Sequence, residues 1–344
     1  MKQLNFIQSI GNTPLIYLES LSKLTGCEIY GKAEFMNPGG SVKDRAALGM
    51  ILDAEKNGTL KKGGLIVEGT AGNTGIGLAL IANIRGYRVK LTVQSTQSQE
   101  KIDTLRGLGA EVVLVAPVDY PDPANYRKVA ERIAREENGL YINQFENKSN
   151  YIAHYETTGR EIWEQSDQKV TAFACAIGTG GTLAGVSMFL KEKNPKIQIG
   201  CIDPMGSAMY NYFTRGEAVL SPGSSITEGI GQGVVTENVR PCKVDHCFQL
   251  DDQIILNMVH YIVRAEGLFV GSSTAANLCG AYLMAKKLGP HNRVVTILCD
   301  NGQKYVSKIF NPTFLQSKQL IIDASPDHLF PALDQIAAQQ KSTR

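Results

Sequence analysis

Short apolar runs alternate with amphipathic helical patterns along most of this 344-residue chain. The apolar runs predict buried strands at 64–68, 88–93, 110–115, 171–177, 197–202 and 294–298. Apolar residues spaced three and four apart predict helices at 75–82, 98–105 and 125–137. Strands that alternate with helices are typical of an α/β protein whose mostly parallel sheets carry helices on both faces.

Two stretches depart from this pattern. Residues 116–123 contain three prolines, which cannot donate to a strand ladder, so we expect a surface loop there. The tail after Asn311 contains an apolar run at 320–322 and a second apolar stretch at 330–333. We expect this tail to add a strand and a helix at a sheet edge or at an oligomer interface.

Composition narrows the class of protein. The length predicts about two domains, at roughly 150 residues each. A net charge of +2 without a basic run argues against a nucleic-acid partner. No uncharged apolar run approaches the ~18 residues of a membrane span, and the first residues lack a signal core. We therefore expect no membrane association and a cytoplasmic location.

The seven cysteines carry little further information. Their odd number and their apolar surroundings indicate reduced thiols within the core. Cys242 and Cys247 flank His246, but this spacing fits no zinc pattern well. We therefore expect no bound metal.

One lysine stands in an unusual setting. Lys43 follows a turn with a proline and two glycines at 37–40 and opens an apolar helical pattern. An exposed lysine at a helix start is the ordinary explanation for such a residue. However, a cation in a first turn opposes the helix dipole, and the glycines allow other groups to approach the backbone. A partly desolvated lysine is also the side chain that forms Schiff bases with carbonyl compounds.

A second segment joins a predicted strand to a predicted helix. Residues 70–74 (Thr-Ala-Gly-Asn-Thr, here called the carboxylate turn) place N–H groups and polar side chains at a helix start. Such a turn can bind an anion of carboxylate size, and it equally fits an ordinary helix N-cap. The glycine spacing does not match a dinucleotide-binding loop, which argues against a nicotinamide oxidoreductase.

Two more strand–turn–helix units follow. Residues 178–182 (Gly-Thr-Gly-Gly-Thr, here called the glycine loop) have the composition of a phosphate cup, whereas a tight turn alone needs one or two glycines. The third turn, at 269–276, carries hydroxyls that serve equally well as N-caps or as ligand contacts at the carboxyl edge of a sheet. A lysine, a carboxylate turn and a phosphate cup together suit pyridoxal 5'-phosphate condensed with an amino acid.

Several long motifs in one order make the chain resemble the cysteine synthase (O-acetylserine sulfhydrylase) and cystathionine β-synthase family, which includes a desulfhydrase-like branch. The matching segments are 10–15, 37–45, 70–75, 143–145, 178–182 and 229–231. The resemblance implies fold type II, with two doubly wound domains similar to the tryptophan synthase β-subunit. It places a smaller mobile domain at 40–147, a larger one at 1–39 and 148–312, and an extension at 313–344. It also implies a homodimer.

The resemblance also implies a role for each site residue. Lys43 is the Schiff-base lysine and takes the α-proton of the substrate, and Ser272 faces the ring nitrogen of the cofactor. Asn73 bonds the ring hydroxyl, and the glycine loop (Gly178, Thr179, Gly180, Gly181 and Thr182) binds the phosphate. The substrate is bound by the carboxylate turn and by two later residues, namely Thr70, Ala71, Gly72, Asn73, Thr74, Gln144 and Gly229, of which Thr70, Gly72, Thr74 and Gln144 hold its carboxylate.

The reaction implied is β-elimination from an O-activated L-serine, such as O-acetylserine or O-phosphoserine, followed by addition of sulfide to an aminoacrylate. Cysteine desulfhydrase and condensation with homocysteine stay open as alternatives. A non-catalytic binding protein is a further class, against which the intact Lys43 argues. Three departures from the family pattern bear on the substrate pair: Ala71 replaces a serine, Gln97 replaces a methionine at the expected pocket mouth, and Asp300 stands in a turn after the last strand.

Overall fold

The computed structural model describes residues 5–339 and contains two separate sheets. The larger sheet has the strand order β1-β2-β10-β7-β8-β9 and the smaller one β5-β4-β3-β6, and every pair except β1–β2 is parallel. This confirms the predicted α/β class with mostly parallel sheets. The strands are β1 (Leu15–Tyr17), β2 (Glu28–Lys32), β3 (Leu65–Gly69), β4 (Arg88–Gln94), β5 (Glu111–Val115), β6 (Leu140–Tyr141), β7 (Ala172–Ala176), β8 (Gln198–Pro204), β9 (His246–Leu250) and β10 (Arg293–Ile297).

Helices cover both sheets. They are α1 (Glu19–Thr25), α2 (Lys43–Lys56), α3 (Asn73–Arg85), α4 (Gln99–Gly107), α5 (Tyr126–Glu136), α6 (Ser149–Ala153), α7 (Arg160–Gln165), α8 (Gly181–Lys193), α9 (Met209–Arg215), α10 (Asp252–Glu266), α11 (Ser272–Leu288), α12 (Pro312–Ser317) and α13 (Pro326–Gln339). One π-helical turn, His154–Gly159, joins α6 to α7, and short 3₁₀ turns occupy Ile7–Ser9, Glu34–Met36 and Gly302–Tyr305. No helix within 5–339 is both long and apolar enough to cross a membrane.

One central strand of each sheet, β3 and β7, is buried along its whole length. Every residue of β3 and of β7 is buried, because helices pack on both faces of each sheet. Buried parallel strands read as continuous apolar runs, so the sequence pattern located them within two residues at either end. All four strands of the smaller sheet lie between residues 65 and 141, and all six of the larger sheet lie outside that range. The domain boundaries at 40–147 stay a prediction.

The tail differs from the prediction in one respect. Residues 320–322 form no strand, and Ile321 is 74% exposed, because no strand edge of a sheet lies alongside this run. The helix expected after it exists as α13, whose Leu329, Phe330 and Leu333 join the main core beside Tyr282 of α11. The tail therefore completes the core of the larger sheet. The end of the predicted extension, 340–344, lies outside the described residues.

Candidate active site

A cavity of about 580 Å³ opens where the carboxyl ends of strands from both sheets face each other. Open α/β sheets bind their ligands at this edge. The cavity is lined by the start of α2, the turns after β3 and β7, and the segments 118–121 and 227–234. Three turns that are far apart in the sequence are thereby brought to one place.

Lys43 is the first residue of α2 and is half-buried in this cavity. Its N–H is 3.3 Å from the Ser41 hydroxyl, and the preceding Val42 N–H donates to Cys299 O (2.9 Å). A β-carbon added to Gly178 would lie 3.9 Å from Lys43 Nζ, so the amine reaches the glycine loop. The structure thus gives Lys43 the cavity that the sequence pattern implied.

Buried ion pairs hold the first turn of α2 in position. Arg45 donates to both carboxylate oxygens of Glu34 (2.7 and 2.8 Å) and to both of Glu161 (2.6 and 2.7 Å). Burial works to raise the pKa of Glu34, but the charge and hydrogen bonds of Arg45, together with Thr13 and Lys32, leave that pKa below its usual value. Lys43 lies two residues before this arginine, so the backbone that carries its side chain is held in place.

The glycine loop runs from the end of β7 into α8. A β-carbon on Gly178 would lie 2.1 Å from Gly229 O, and one on Gly181 would lie 2.0 Å from Asn150 Oδ1, so neither position accepts a side chain. Gly180 has a φ of 96°, in the left-handed region. The N–H groups of Gly178, Thr179 and Gly180 meet no acceptor among the described residues. They form a set of free donors at a helix N-terminus, as an anion site requires.

The π-helical turn supports this loop from behind. His154 is buried, with its two ring nitrogens 2.9 Å from Thr158 Oγ1 and 3.2 Å from Thr182 Oγ1. Burial, together with the charges of Arg45 and Lys43, lowers the pKa of His154 well below its usual value. The neutral ring has one donor and one acceptor nitrogen, which matches two hydroxyl partners. His154 thus fixes the Thr182 side chain at the end of the glycine loop.

The carboxylate turn is hydrogen-bonded to Gln144. Thr74 Oγ1 donates to Gln144 Oε1 (2.6 Å), and the Thr70 hydroxyl accepts the N–H of Gly72 (3.0 Å). Gln144 Nε2 donates to Gly69 O (2.9 Å) and Glu68 Oε1 (3.2 Å). Burial raises the pKa of Glu68 to about 8, so this carboxyl adds little negative charge beside the turn at neutral pH.

Asn73 is fixed through both ends of its amide. Its Nδ2 donates to Asp300 Oδ2 (2.7 Å), and its Oδ1 accepts from Lys304 Nζ (3.0 Å). Tyr305 OH donates to the same Asp300 oxygen (2.7 Å). The other Asp300 oxygen is buried without a partner, and a β-carbon on Gly271 would lie 2.4 Å from it. Asp300 therefore lies beside the turn that begins α11.

Eleven of the fourteen predicted site residues line the cavity: Lys43, Thr70, Ala71, Asn73, Thr74, Gln144, Gly178, Thr179, Gly180, Thr182 and Gly229. Gly72, Gly181 and Ser272 do not, although each lies next to a residue that does. At the start of α11 it is Ser273 that lines the cavity, whereas Ser272 is 2% exposed. The predicted contact of Ser272 with a ring nitrogen stays a prediction, and Ser273 is a second candidate for it.

Sequence reasoning missed several residues of the cavity wall. Lys101 of α4 forms an ion pair with Glu228 (2.6 Å), which also pairs with Lys308 (2.8 Å) and links the two sheets. Arg127 of α5 and residues 118–121 of the loop 116–123 line the same cavity. None of these carries a local motif, because each sits in an ordinary amphipathic helix or loop. Gln97, which the sequence placed at the pocket mouth, does line the cavity.

The residues present fit pyridoxal phosphate. The free N–H groups of the glycine loop suit its phosphate, and the amine of Lys43 suits its aldehyde. Gly178 has no side chain, which leaves room between these two groups. The fold and the cavity thereby define a pyridoxal-phosphate enzyme. The model of the family described as pyridoxal-phosphate dependent enzyme matches residues 7–300, and the chain belongs to that family.

Individual relatives show which members of this family the chain is similar to. The chain is 49% identical to Cysteine synthase 1 of Neurospora crassa over 326 residues, which cover 93% of this chain and 86% of the relative. Among solved structures it is similar to the O-acetylserine-dependent cystathionine β-synthase of Helicobacter pylori (32% identity, TM-score 0.81, covering 90% of this chain and 98% of that chain). It is also similar to a hydrogen sulfide-producing enzyme of Fusobacterium nucleatum (33% identity, TM-score 0.80, covering 88% of this chain and 100% of that chain).

Proposed function

We propose that this protein makes L-cysteine by replacing the O-linked group of an activated L-serine with sulfide. One observation carries the proposal: Lys43, the glycine loop and the carboxylate turn line a single cavity. When bound there, pyridoxal phosphate supplies an aldehyde and an electron-withdrawing ring. The similarity to a cysteine synthase at 49% identity supports this choice of reaction.

In this proposal each group of residues has its own role in binding or proton transfer. Lys43 holds the aldehyde in the resting enzyme and, once released, removes the α-proton with its amine. The N–H groups of the glycine loop hold the phosphate, and Asn73 holds the ring hydroxyl. Asp300 and Lys304 fix the amide of Asn73, so it presents one orientation only.

The substrate carboxylate is assigned to the carboxylate turn and Gln144. The Gln144 amide is held in place by Thr74, Gly69 and Glu68, and it donates to the carboxylate by exchanging one of its two Nε2 hydrogen bonds. Ala71 offers only its N–H in this turn. Gly229, whose carbonyl approaches Gly178, closes the cavity from the side of the larger sheet.

A second reaction is favoured by one comparison. The structural relative from Fusobacterium nucleatum is a hydrogen sulfide-producing enzyme, which makes cysteine desulfhydration the second candidate. The relative from Helicobacter pylori is a cystathionine β-synthase, which keeps homocysteine as an alternative acceptor. Both reactions would use the same lysine and the same carboxylate turn.

Initial rates with purified enzyme separate these candidates. O-Acetylserine plus sulfide, O-phosphoserine plus sulfide, O-acetylserine plus homocysteine, and cysteine alone are assayed at equal concentrations. We expect cysteine formation from an activated serine to exceed sulfide release from cysteine by at least tenfold. Faster sulfide release would replace the proposal with the desulfhydrase, and faster cystathionine formation would replace it with the condensation.

We further propose a homodimer in the cytoplasm, in which residues 40–147 move as a unit when substrate binds. The Lys101–Glu228 ion pair crosses between this unit and the larger sheet beside the cavity, so it suits a contact that stabilises the closed state. Light scattering after size exclusion tests the dimer, because the measured mass should be twice that of the chain.

A further inference from the structure

Arg127 extends from the first turn of α5 into the cavity. Its guanidinium carbon lies 3.3 Å from the centroid of the Phe145 ring, and the rings of Tyr120 and Tyr126 are 5.3 and 5.6 Å away. Nη2 donates to Gln232 Oε1 (2.7 Å), and Nε is 3.2 Å from the Tyr126 hydroxyl. Nη1 has no hydrogen-bond partner among the described residues.

The positive charge of Arg127 has no carboxylate partner within the part of the chain that the structure describes. Glu228, which also lines the cavity, pairs with Lys101 and Lys308. Asp119 lines the mouth but is exposed and forms no ion pair with the arginine. Burial raises the pKa of Glu68 to about 8, although the charge of Arg127 works to lower that pKa. Glu68 is therefore mostly protonated at neutral pH. The arginine therefore keeps its net charge.

The position of Arg127 relates it to the substrate. A β-carbon on Gly69 would lie 3.0 Å from Arg127 Cα, and Gly69 directly precedes the carboxylate turn. The side chain then crosses Phe145 to reach Gln232 on the opposite wall. The α-carboxylate has its own place at the carboxylate turn, so the guanidinium faces the part of the cavity that remains for the O-linked group.

We propose that Arg127 binds a distal oxyanion on the O-linked group of the serine substrate, either a phosphate monoester or the free carboxylate of a dicarboxylic acid half-ester. The proposal rests on the proposed function, because an O-activated serine is what places such a group in this part of the cavity. A planar guanidinium with an unused Nη1 next to Nη2 has the fork geometry that binds phosphate and carboxylate through two parallel hydrogen bonds.

Three amino acids of equal chain length test this without turnover, because none can lose a β-substituent. L-Norvaline ends in a methyl group, L-glutamate in a carboxylate and L-2-amino-4-phosphonobutanoate in a phosphonate. Their dissociation constants are read from the absorbance of the holoenzyme. We expect at least one anionic ligand to bind roughly tenfold or more tightly than norvaline, as charge-assisted hydrogen bonds allow. A preference for the phosphonate assigns a phosphate ester. If glutamate is preferred, L-2-aminoadipate is added, because its carboxylate lies one carbon further out, as in the shortest half-ester; tighter binding of aminoadipate than of glutamate assigns a half-ester.

Arg127→Gln should abolish this preference and leave norvaline binding unchanged. Arg132→Gln is the matched control, because Arg132 is an exposed arginine on the same helix. Gln232→Glu is an independent variant that keeps Arg127 in place and gives it a carboxylate partner, so it too should abolish the preference. A wild type without preference, an equal loss for all three ligands in Arg127→Gln, or a retained preference in Gln232→Glu would overturn the proposal.

This outcome is separable from that of the proposed function. Cysteine formation is measured with the neutral substrate O-acetylserine, which lacks a distal oxyanion. An enzyme that makes cysteine and shows no ligand preference contradicts the role of Arg127 alone. An enzyme that shows the Arg127-dependent preference and makes no cysteine contradicts the proposed reaction alone.

Discussion

The side-chain amide of Asn73 donates a 2.7 Å hydrogen bond to the carboxylate of Asp300, 227 residues further along the chain. This bond joins the first residue of α3, next to the smaller sheet, to the segment that follows β10 of the larger sheet. With Lys304 on its other end, the amide has a single orientation. The turn proposed to hold both cofactor and substrate is thus fixed by residues from the other side of the cavity.

Asp300→Ala should lower the free energy of unfolding and weaken cofactor binding. The substitution leaves two donors, Asn73 Nδ2 and Tyr305 OH, without their common acceptor. The buried Tyr305 hydroxyl costs about 1–3 kcal/mol, and the part-buried Asn73 amide adds a smaller loss. Tyr305→Phe removes one donor and leaves Asp300 its other partner, so its effect should be smaller, about 1 kcal/mol. Urea unfolding of both variants measures this. An Asp300→Ala protein as stable as Tyr305→Phe would contradict the shared-acceptor arrangement.

Gly178→Ala should reduce the affinity for pyridoxal phosphate by roughly tenfold or more. The new methyl group would overlap Gly229 O, at 2.1 Å, and both segments line the cavity, so one of them must move. Gly107→Ala, at the end of α4, meets nothing within 4 Å and is the control. Equilibrium dialysis of apoenzyme with pyridoxal phosphate gives the two affinities. Equal affinities in both variants would mean that the glycine loop does not hold the phosphate.

Arg45→Met should destabilise the fold by about 3–5 kcal/mol, because it leaves the fully buried Glu34 without its cation. Lys23→Met, which breaks the exposed pair with Glu19, should cause no measurable change. Chemical denaturation compares the two. A loss in Arg45→Met no larger than in Lys23→Met would show that the buried network does not stabilise the start of α2.

The contribution of Glu68 to stability should fall as the pH rises from about 4.5 to about 8. Burial raises the pKa of Glu68 from 4.5 to about 8, so within this window the folded carboxyl is protonated while the unfolded one is ionised. Asp44 and Asp203 act in the same direction, because burial raises their pKa values to about 7 and about 6. Glu68→Gln cannot ionise, so its free energy of unfolding should fall less between pH 4.5 and pH 8 than that of the wild type. A fall identical to that of the wild type would mean that Glu68 ionises normally in the folded protein.

Much of the fold could be predicted from local pattern. Strands such as β3 and β7 are buried on both faces, and their continuous apolar runs located them closely. The two-residue β6 has too little length to produce a pattern, and β2 begins and ends with charged residues, so neither was found. The expected strand at 320–322 failed because apolar residues alone do not supply a neighbouring edge.

The candidate site divides in the same way. Lys43, the carboxylate turn and the glycine loop are contiguous motifs, so the sequence alone pointed to them. The hydrogen bonds of Asn73 and the Lys101–Glu228 ion pair join segments more than a hundred residues apart. No local sequence pattern predicts such contacts. Arg127 carries no signal because an arginine is ordinary on the polar face of an amphipathic helix.

The most direct test concerns Lys43. Freshly purified holoenzyme is reduced with borohydride, digested and analysed by peptide mass spectrometry, which locates any lysine bearing a pyridoxyl group. We expect a single adduct, on the peptide that contains Lys43, while the buried Lys32 and Lys101 and the half-buried Lys304 serve as internal controls and stay unmodified. An adduct on any other lysine, or none at all in protein that retains its bound cofactor, would contradict the assignment of Lys43 and with it the proposed chemistry.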